Sequence, residues 1–550
     1  MRHGYVTSAL AALSLAAASA GSAFAQELMI VEGAPAISGG AQSLMMAEIE
    51  TLGGPTSSPG AAMALANPLP RVDKQFQSFQ FADNSRLNGF YTIPPDPMGT
   101  ASKSRLLAVV NVAVELRTKG GTLLDESGLG AFFGDLALGS PFDPKVVYDE
   151  HSGRLLVVAL VRVFGSPNVS QILLAVSKSD NPNTLTAMDW NFTAIDSKTI
   201  IPFNSGSLQL ETWADYPGFE VDEEAIYITN NMFTFLFGGA YGGVRLWIVD
   251  KGETDGGFYA GGTASVTVHD PYASNGGIAT TTMPALIHGK GGVGGSGSDI
   301  GTFLVSYSGL SDGVSEYLQV VTVRDPLGKT GGPTFEQEFL EIGDIETGFP
   351  ALPGAPQADT GITINTNDRR ALDAVWRDGA LWMVTTIRPN SNFGPDAGQA
   401  TATWFKVDTT QGPGNLVIAD GGIVGGEDIA PGTFTFFPAI AVNRRGDMKI
   451  GFSASAPTIY AGAYVTGKRV EDPAGTVRPS NVVRAGEDYY YRTFSGTRNR
   501  WGDYSGIAVD PTNDTFFWIY NEYAAPRGNV LPAYPTQDGV WGTTWGRGRF

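Results

Sequence analysis

The stretch Trp213-Ala-Asp-Tyr-Pro-Gly-Phe-Glu-Val-Asp222, followed by Ala225-Ile-Tyr-Ile-Thr-Asn-Asn231, has a counterpart far along the chain. The counterpart is Trp501-Gly-Asp-Tyr-Ser-Gly-Ile-Ala-Val-Asp510, followed by Phe516-Phe-Trp-Ile-Tyr-Asn-Glu522. Both read as an aromatic-small-Asp-Tyr turn, a strand of alternating residues, a polar turn and a second strand ending in Asn or Glu. The turn of the second copy is longer, and the strands keep their length.

Weaker copies of this strand-turn-strand unit begin at Pro144, Pro284, Ala371 and Pro438. With Pro217 and Ser505 as the matching residues, the starts are separated by 73, 67, 87, 67 and 67 residues. A regular period in a chain of hairpins is the mark of radial repetition. Further strands begin at Ser170, Gly243, Glu316 and Thr401, and they supply the outer part of each unit. Four strands per unit make a propeller blade. A further unit is expected where Pro94-Pro95-Asp96-Pro97-Met98 leads into Arg105-Leu-Leu-Ala-Val-Val. The fold expected is all-β, a propeller of seven four-stranded blades over residues 93–550. Six and eight blades are the alternatives.

Composition agrees. The 550 residues include 71 glycines and 33 prolines, with 11% aromatic and only 17% charged residues, as short strands and tight turns require. Residues 1–25 have a basic start, an Ala/Leu-rich stretch and a small-x-small site at Ala23-Phe24-Ala25, the layout of a cleavable secretory signal. Cleavage near Ala25 predicts a secreted protein, in the periplasm or outside the cell. Residues 26–92, rich in Gly, Ser and Pro, read as an N-terminal extension.

The formal net charge of −19 becomes −20 once Arg2 leaves with the signal. Such a chain repels nucleic acid and anionic lipid. No later segment has the run of about 20 apolar residues that a membrane helix needs. The absence of cysteine removes disulfides, thiolate metal sites and cysteine nucleophiles.

The chain resembles a family of secreted bacterial proteins of largely uncharacterised role. The resembling residues are Pro94-Pro95-Asp96, Asp143-Pro144-Lys-Val-Val-Tyr148-Asp149, the Trp213 stretch, Arg377-Asp-Gly-Ala-Leu-Trp382, Phe437-Pro438-Ala439, and Arg500-Trp501-Gly502-Asp503-Tyr504-Ser505 with Val509-Asp510-Pro511. The resemblance implies a sialidase-like or YVTN-like propeller and export. It carries no settled activity and so supplies no catalytic residue.

No HExxH, GxSxG or P-loop motif occurs, which removes the sequence support for the commonest zinc-protease, hydrolase-elbow and nucleotide chemistries. His151, His269 and His288 sit on separate repeats and read as turn or surface residues. Carboxylates with Arg and Tyr neighbours are the remaining ingredients of glycosidase-type chemistry. Asp215, Asp503, Arg500 and Tyr504 are the leading candidates, with Asp96, Glu211, Arg369, Arg370 and Tyr216 beside them.

These residues precede the first strand of their repeats, where a propeller sends loops to one channel mouth. Recurrence of the Asp-Tyr pair in two blades equally suits an architectural part, with the Asp holding its turn and the Trp packing between blades. No cofactor is expected. Calcium is the one metal for which acidic turns such as Asp510, Asn513 and Asp514 offer ligands, without EF-hand spacing.

The aromatic residues Tyr489–Tyr491, Trp541 and Trp545 fit either sugar stacking or packing between blades, with 541–550 expected to close the ring against the first blade. The leading function is binding of an extracellular polysaccharide or protein partner. The alternative is a carbohydrate-active enzyme, a glycosidase or lyase, using the channel-mouth carboxylates.

Overall fold

The alternating stretch Phe142–Asp149 pairs antiparallel with Arg154–Val163, which pairs with Val169–Ser177 and then with Trp190–Asp196. This four-stranded meander is one blade, and the computed structural model contains seven such sheets. It describes residues 29–31 and 70–550, apart from 204–207, 237–238, 255, 274–279, 290 and 296. The expected signal over residues 1–25 lies outside the described residues.

In chain order the blades span 98–128, 142–196, 199–269, 282–343, 373–424, 434–484 and 506–549, numbered one to seven below. All seven expected units are present, and in each the four-stranded meander starts with its inner strand. Blade three gains a fifth strand, Thr199–Phe203, paired with the long inner strand Leu208–Val221. Blade five gains Leu286–Ile287, which runs parallel to Asp373–Arg377. That short strand belongs to the stretch after Pro284 that the sequence assigns to the preceding unit.

Ring closure differs from the expectation. The last strand, Val540–Arg549, lies inside blade seven, and Arg71–Gln80 pairs with it as the outermost strand. Part of the expected extension is thus a blade strand. Phe76 from this strand packs at 6.4 Å from Trp518, and Phe79 and Phe81 are buried. Pairing that outer edge covers backbone groups that would otherwise be open to another chain.

The core fills the wedges between blades. Leu156, Ile172 and Val176 of blade two meet Trp213, Phe219 and Trp247 of blade three. Trp382 and Trp404 of blade five stack with centroids 5.9 Å apart, in a cluster with Ile440 and Phe452 of blade six. Near the axis the backbones come closer. A Cβ on Gly506 of blade seven would lie 2.4 Å from the Gly99 N of blade one.

Three inner strands are bent by one device. Their pairing shifts at Asp143-Pro144, Tyr216-Pro217 and Phe437-Pro438, and the residue before each proline has a φ of 48° or 49°. Proline cannot donate to the ladder, so a bulge is the place where a strand accepts it. Asp96-Pro97, with φ of 44° at Asp96, precedes the inner strand of blade one in the same way. The repeated proline in the sequence is this bulge, and it directs the preceding residues to one end of the channel.

Candidate functional site

At the bulged end the motif residues converge and close the channel. Tyr216 of blade three donates to the Asp503 carbonyl at 3.2 Å, and Tyr504 donates to the Pro144 carbonyl of blade two at 3.0 Å. The two rings meet edge to face at 5.9 Å. Lys145 lies 4.7 Å from the Tyr504 ring and 5.3 Å from the Tyr216 ring, while Arg370 covers Tyr216 at 4.3 Å. The recurring tyrosines form a plug.

Around the plug, Asp96, Asp143, Asp215 and Asp503 surround the Arg500 charge. Asp503 pairs with Arg500 and accepts from Asn367 Nδ2 at 2.7 Å. Asn111 joins blades one and two, donating to Asp96 Oδ2 at 2.6 Å and accepting the Asp143 N–H at 2.8 Å. Burial raises the Asp96 carboxyl, with the Asp503 charge adding to it; burial also raises Asp143, followed by Asp215, Asp96 and Asp503. Burial alone opposes the Arg500 charge, but Asp503, Asp96, Asp143 and Asp215 outweigh it and hold the guanidinium proton more firmly.

The sequence candidates Asp215, Asp503, Arg500 and Tyr504 are therefore brought together, as are Asp96, Tyr216 and Arg370. They are buried, with relative exposures of 0%, 1%, 4% and 2% for the first four. No substrate reaches carboxylates in that state without opening the plug.

Arg369 is spent on buried Glu346 at 2.7 Å, and Glu211 stands exposed on blade three beside Lys198 and Asn168. The tryptophans of the motif pack between blades: Trp501 donates to Ser453 Oγ of blade six at 3.1 Å, and Arg162 of blade two covers Trp213 at 4.1 Å. Asp510 holds Lys119 at 2.7 Å and the Trp518 indole at 2.9 Å, Asn513 caps its own turn, and Asp514 pairs with Arg377. A cation there would have to displace these partners. Among the described residues, no three His, Asp or Glu side chains gather as a metal site.

The opposite half of the channel is open, as a cavity of about 460 Å³. Its wall is built from the residues two and three places after each repeat's reference position: Val146 and Val147, Ile440 and Ala441, Ile507 and Ala508. Three blades break this apolar pattern. Blade three has Glu220 where others have Val147, Ala441 and Ala508, blade five has Asp373 where others have Val146 and Ile440, and blade two has Lys145 where others have Gly218 and Ala439.

Glu220 and Asp373 line the inner end of the cavity, with Lys145 buried behind them. Asp373 Oδ2 accepts the Ile440 N–H at 2.9 Å, whereas Glu220 Oε2 is buried without a hydrogen-bond partner. Burial, then the Asp373 charge, pushes the Glu220 carboxyl well above its usual range, against the pull of Lys145. Burial moves Asp373 up to about 6, held back by the Ile440 N–H and Lys145. Burial also lowers Lys145 to about 8, with Asp373 and Glu220 acting the other way.

The rim collects residues that the sequence keeps apart. His151 Nε2 lies 2.9 Å from the Ile287 carbonyl, and His288 Nδ1 lies 3.1 Å from Glu150 Oε2. Burial works against the Glu150 charge, but His288, the Gly289 N–H and His151 bring the carboxyl down to about 2. His269 stands apart, beside Thr267 and Phe335. Lys103 and Glu223 are exposed at the opening. No arginine is among the described residues that line the cavity.

Sequence reading placed the Asp-Tyr motif at one mouth but missed Glu220, Asp373 and Lys145. The signal that finds them is a charged residue at a repeat position that is Gly, Ala, Val or Ile in other blades. The chain is similar in structure to a protein of unknown function from Dyadobacter fermentans, with TM-score 0.37 and 9% identity over 87% of this chain and 99% of that one. It is also similar to a Hadza microbial sialidase, with TM-score 0.32 and 13% identity over 82% of this chain and 75% of that one. An exo-1,5-alpha-L-arabinanase from a bovine ruminal metagenomic library gives TM-score 0.26 and 14% identity over 59% of this chain and 95% of that one. No protein-family model and no curated protein matches the chain.

Proposed function

We propose that this is an exported propeller that holds a neutral, hydroxyl-rich ligand, a segment of an extracellular polysaccharide, in the open half of its channel. The observation that carries the reading is the cavity itself, with the Glu220 and Asp373 carboxyl groups among the residues at its inner end. A concave, mostly apolar wall with a few convergent polar groups is the usual form of a small-ligand site.

The charge pattern selects the ligand class. The inner end sets one lysine charge against two carboxyl groups that burial raises above their usual range. It offers both donors and acceptors, as a sugar ring demands. An anionic sugar calls for a guanidinium clamp, and the lining residues include none. A protein partner requires a broad interface rather than a concave site of this size. Export follows from the secretory layout of residues 1–25, and among the described residues no helix is long and apolar enough to cross a membrane.

Titration calorimetry of the mature protein with neutral oligosaccharides and with oligouronates tests this reading. Saturable binding of a neutral class and none of the uronates is expected. Binding of uronates alone, or of no oligosaccharide, would sink it.

A further inference from the structure

We propose that Glu220, Asp373 and Lys145, set on three blades around the inner end of the cavity, form an acid–base unit that hydrolyses a glycosidic bond of the saccharide held there. The inference rests on the reading of the cavity as a saccharide site and adds a reaction to it.

The first support is the cost of these residues. Blades six and seven build the same positions from Ala439, Ile440 and Ala441 and from Gly506, Ile507 and Ala508, so the ring closes without charge there. Three ionisable groups placed in the channel against that pattern destabilise the fold, and functional sites are where such groups persist. The cluster is also separate from the Asp-Arg knot at the plugged end, which has its own partners.

The second support is the division of labour between two carboxyl groups. Glu220 lines the cavity, and burial raises its carboxyl well above the usual range. Asp373, fixed by the Ile440 N–H and near the Lys145 charge, lines the same cavity and is raised only to about 6. Neighbouring groups whose environments push their protonation apart are an acid and a base.

The reaction follows. Glu220 transfers its proton to the glycosidic oxygen as the bond from that oxygen to the anomeric carbon breaks. Asp373 takes a proton from water, whose oxygen bonds to the anomeric carbon. The products are two hydroxyl-bearing sugars, with Glu220 ionised and Asp373 protonated. Return of that proton from Asp373 to Glu220 restores the site. Acetal cleavage needs only this pair, whereas acyl transfer also needs donors aimed at an oxyanion.

Lys145 is a positioning residue. Its ammonium lowers both carboxyls, against the effect of burial. Its Nζ donates to Met283 Sδ at 3.6 Å, and its charge faces the Tyr504 and Tyr216 rings. Asp143 and Arg370 are the charges that reach it from the plugged end.

The test uses cello-, manno-, xylo- and arabino-oligosaccharides, with calorimetry for binding and chromatography for released reducing ends. Wild type is expected to bind and cleave one class. Glu220→Gln and Asp373→Asn are expected to bind it within a few-fold while losing about 100-fold or more in turnover. Lys145→Met is expected to move the acidic limb of the pH–rate profile up by about one unit or more, as removal of a nearby cation does to a carboxylate. Binding without cleavage by wild type, or cleavage by Glu220→Gln at the wild-type rate, would overturn the proposed reaction while leaving the binding reading intact. An unmoved pH profile in Lys145→Met would remove the lysine from the unit. Failure to bind any of the four classes overturns both readings.

Discussion

Arg500 and Asp503, three residues apart in the chain, form an ion pair with side chains only 5% and 2% exposed. The pair anchors the turn that follows the last long loop and holds Asp503 where Tyr216 reaches its carbonyl from blade three. Removing one partner of a buried pair leaves the other charge stranded, at about 3–5 kcal/mol. Asp503→Asn is expected to lower the urea midpoint markedly, while Glu220→Gln leaves it almost unchanged. An unaltered midpoint in Asp503→Asn, together with lost ligand binding, would instead assign Asp503 to the site.

Removal of the outermost strand of blade seven is the second prediction. Arg71–Gln80 covers the edge of Val540–Arg549 and places Phe76 against Trp518. A chain truncated through residue 80 exposes that edge and the indoles behind it. Compared with one truncated through residue 69, it is expected to melt lower and to aggregate on warming. Equal melting temperatures would contradict this closure.

The Asp373 carboxyl sets a pH dependence. Its folded value of about 6 lies above the ordinary 3.8, so the folded state binds more protons between those limits. Stability from this group is therefore full below about pH 4 and lost as pH rises through about 6, on the order of 3 kcal/mol. Asp373→Asn is expected to flatten the fall in stability over pH 4 to 6. Glu150, brought down to about 2, acts oppositely and loses its contribution as pH falls below the ordinary 4.5. An unchanged slope in Asp373→Asn would show that the carboxyl titrates normally.

The architecture is legible where chemistry is local. Pro144, Pro217 and Pro438 mark the bulges, alternating residues mark the strands, and the 67-residue spacing marks the blades. Trp213 and Trp501 likewise announce the packing between blades. The partner of Arg71–Gln80 is not legible, because Gln75 and its partner Thr544 are 469 residues apart.

The site is less legible still. Asp215 and Asp503 attract notice because they recur, and recurrence proves to mark the plug rather than the opening. Lys145, Glu220 and Asp373 lie in different copies and meet only when the ring closes. Their mark is that each is unlike its equivalents, Gly218, Ala441 and Ile440.

The measurement that tests the central claim most directly is calorimetry with a neutral oligosaccharide on wild type and on Ala508→Trp, which fills the cavity from blade seven. The account predicts binding by wild type and none by Ala508→Trp at an unchanged melting temperature. Undiminished binding by Ala508→Trp would contradict it and move the ligand elsewhere on the propeller.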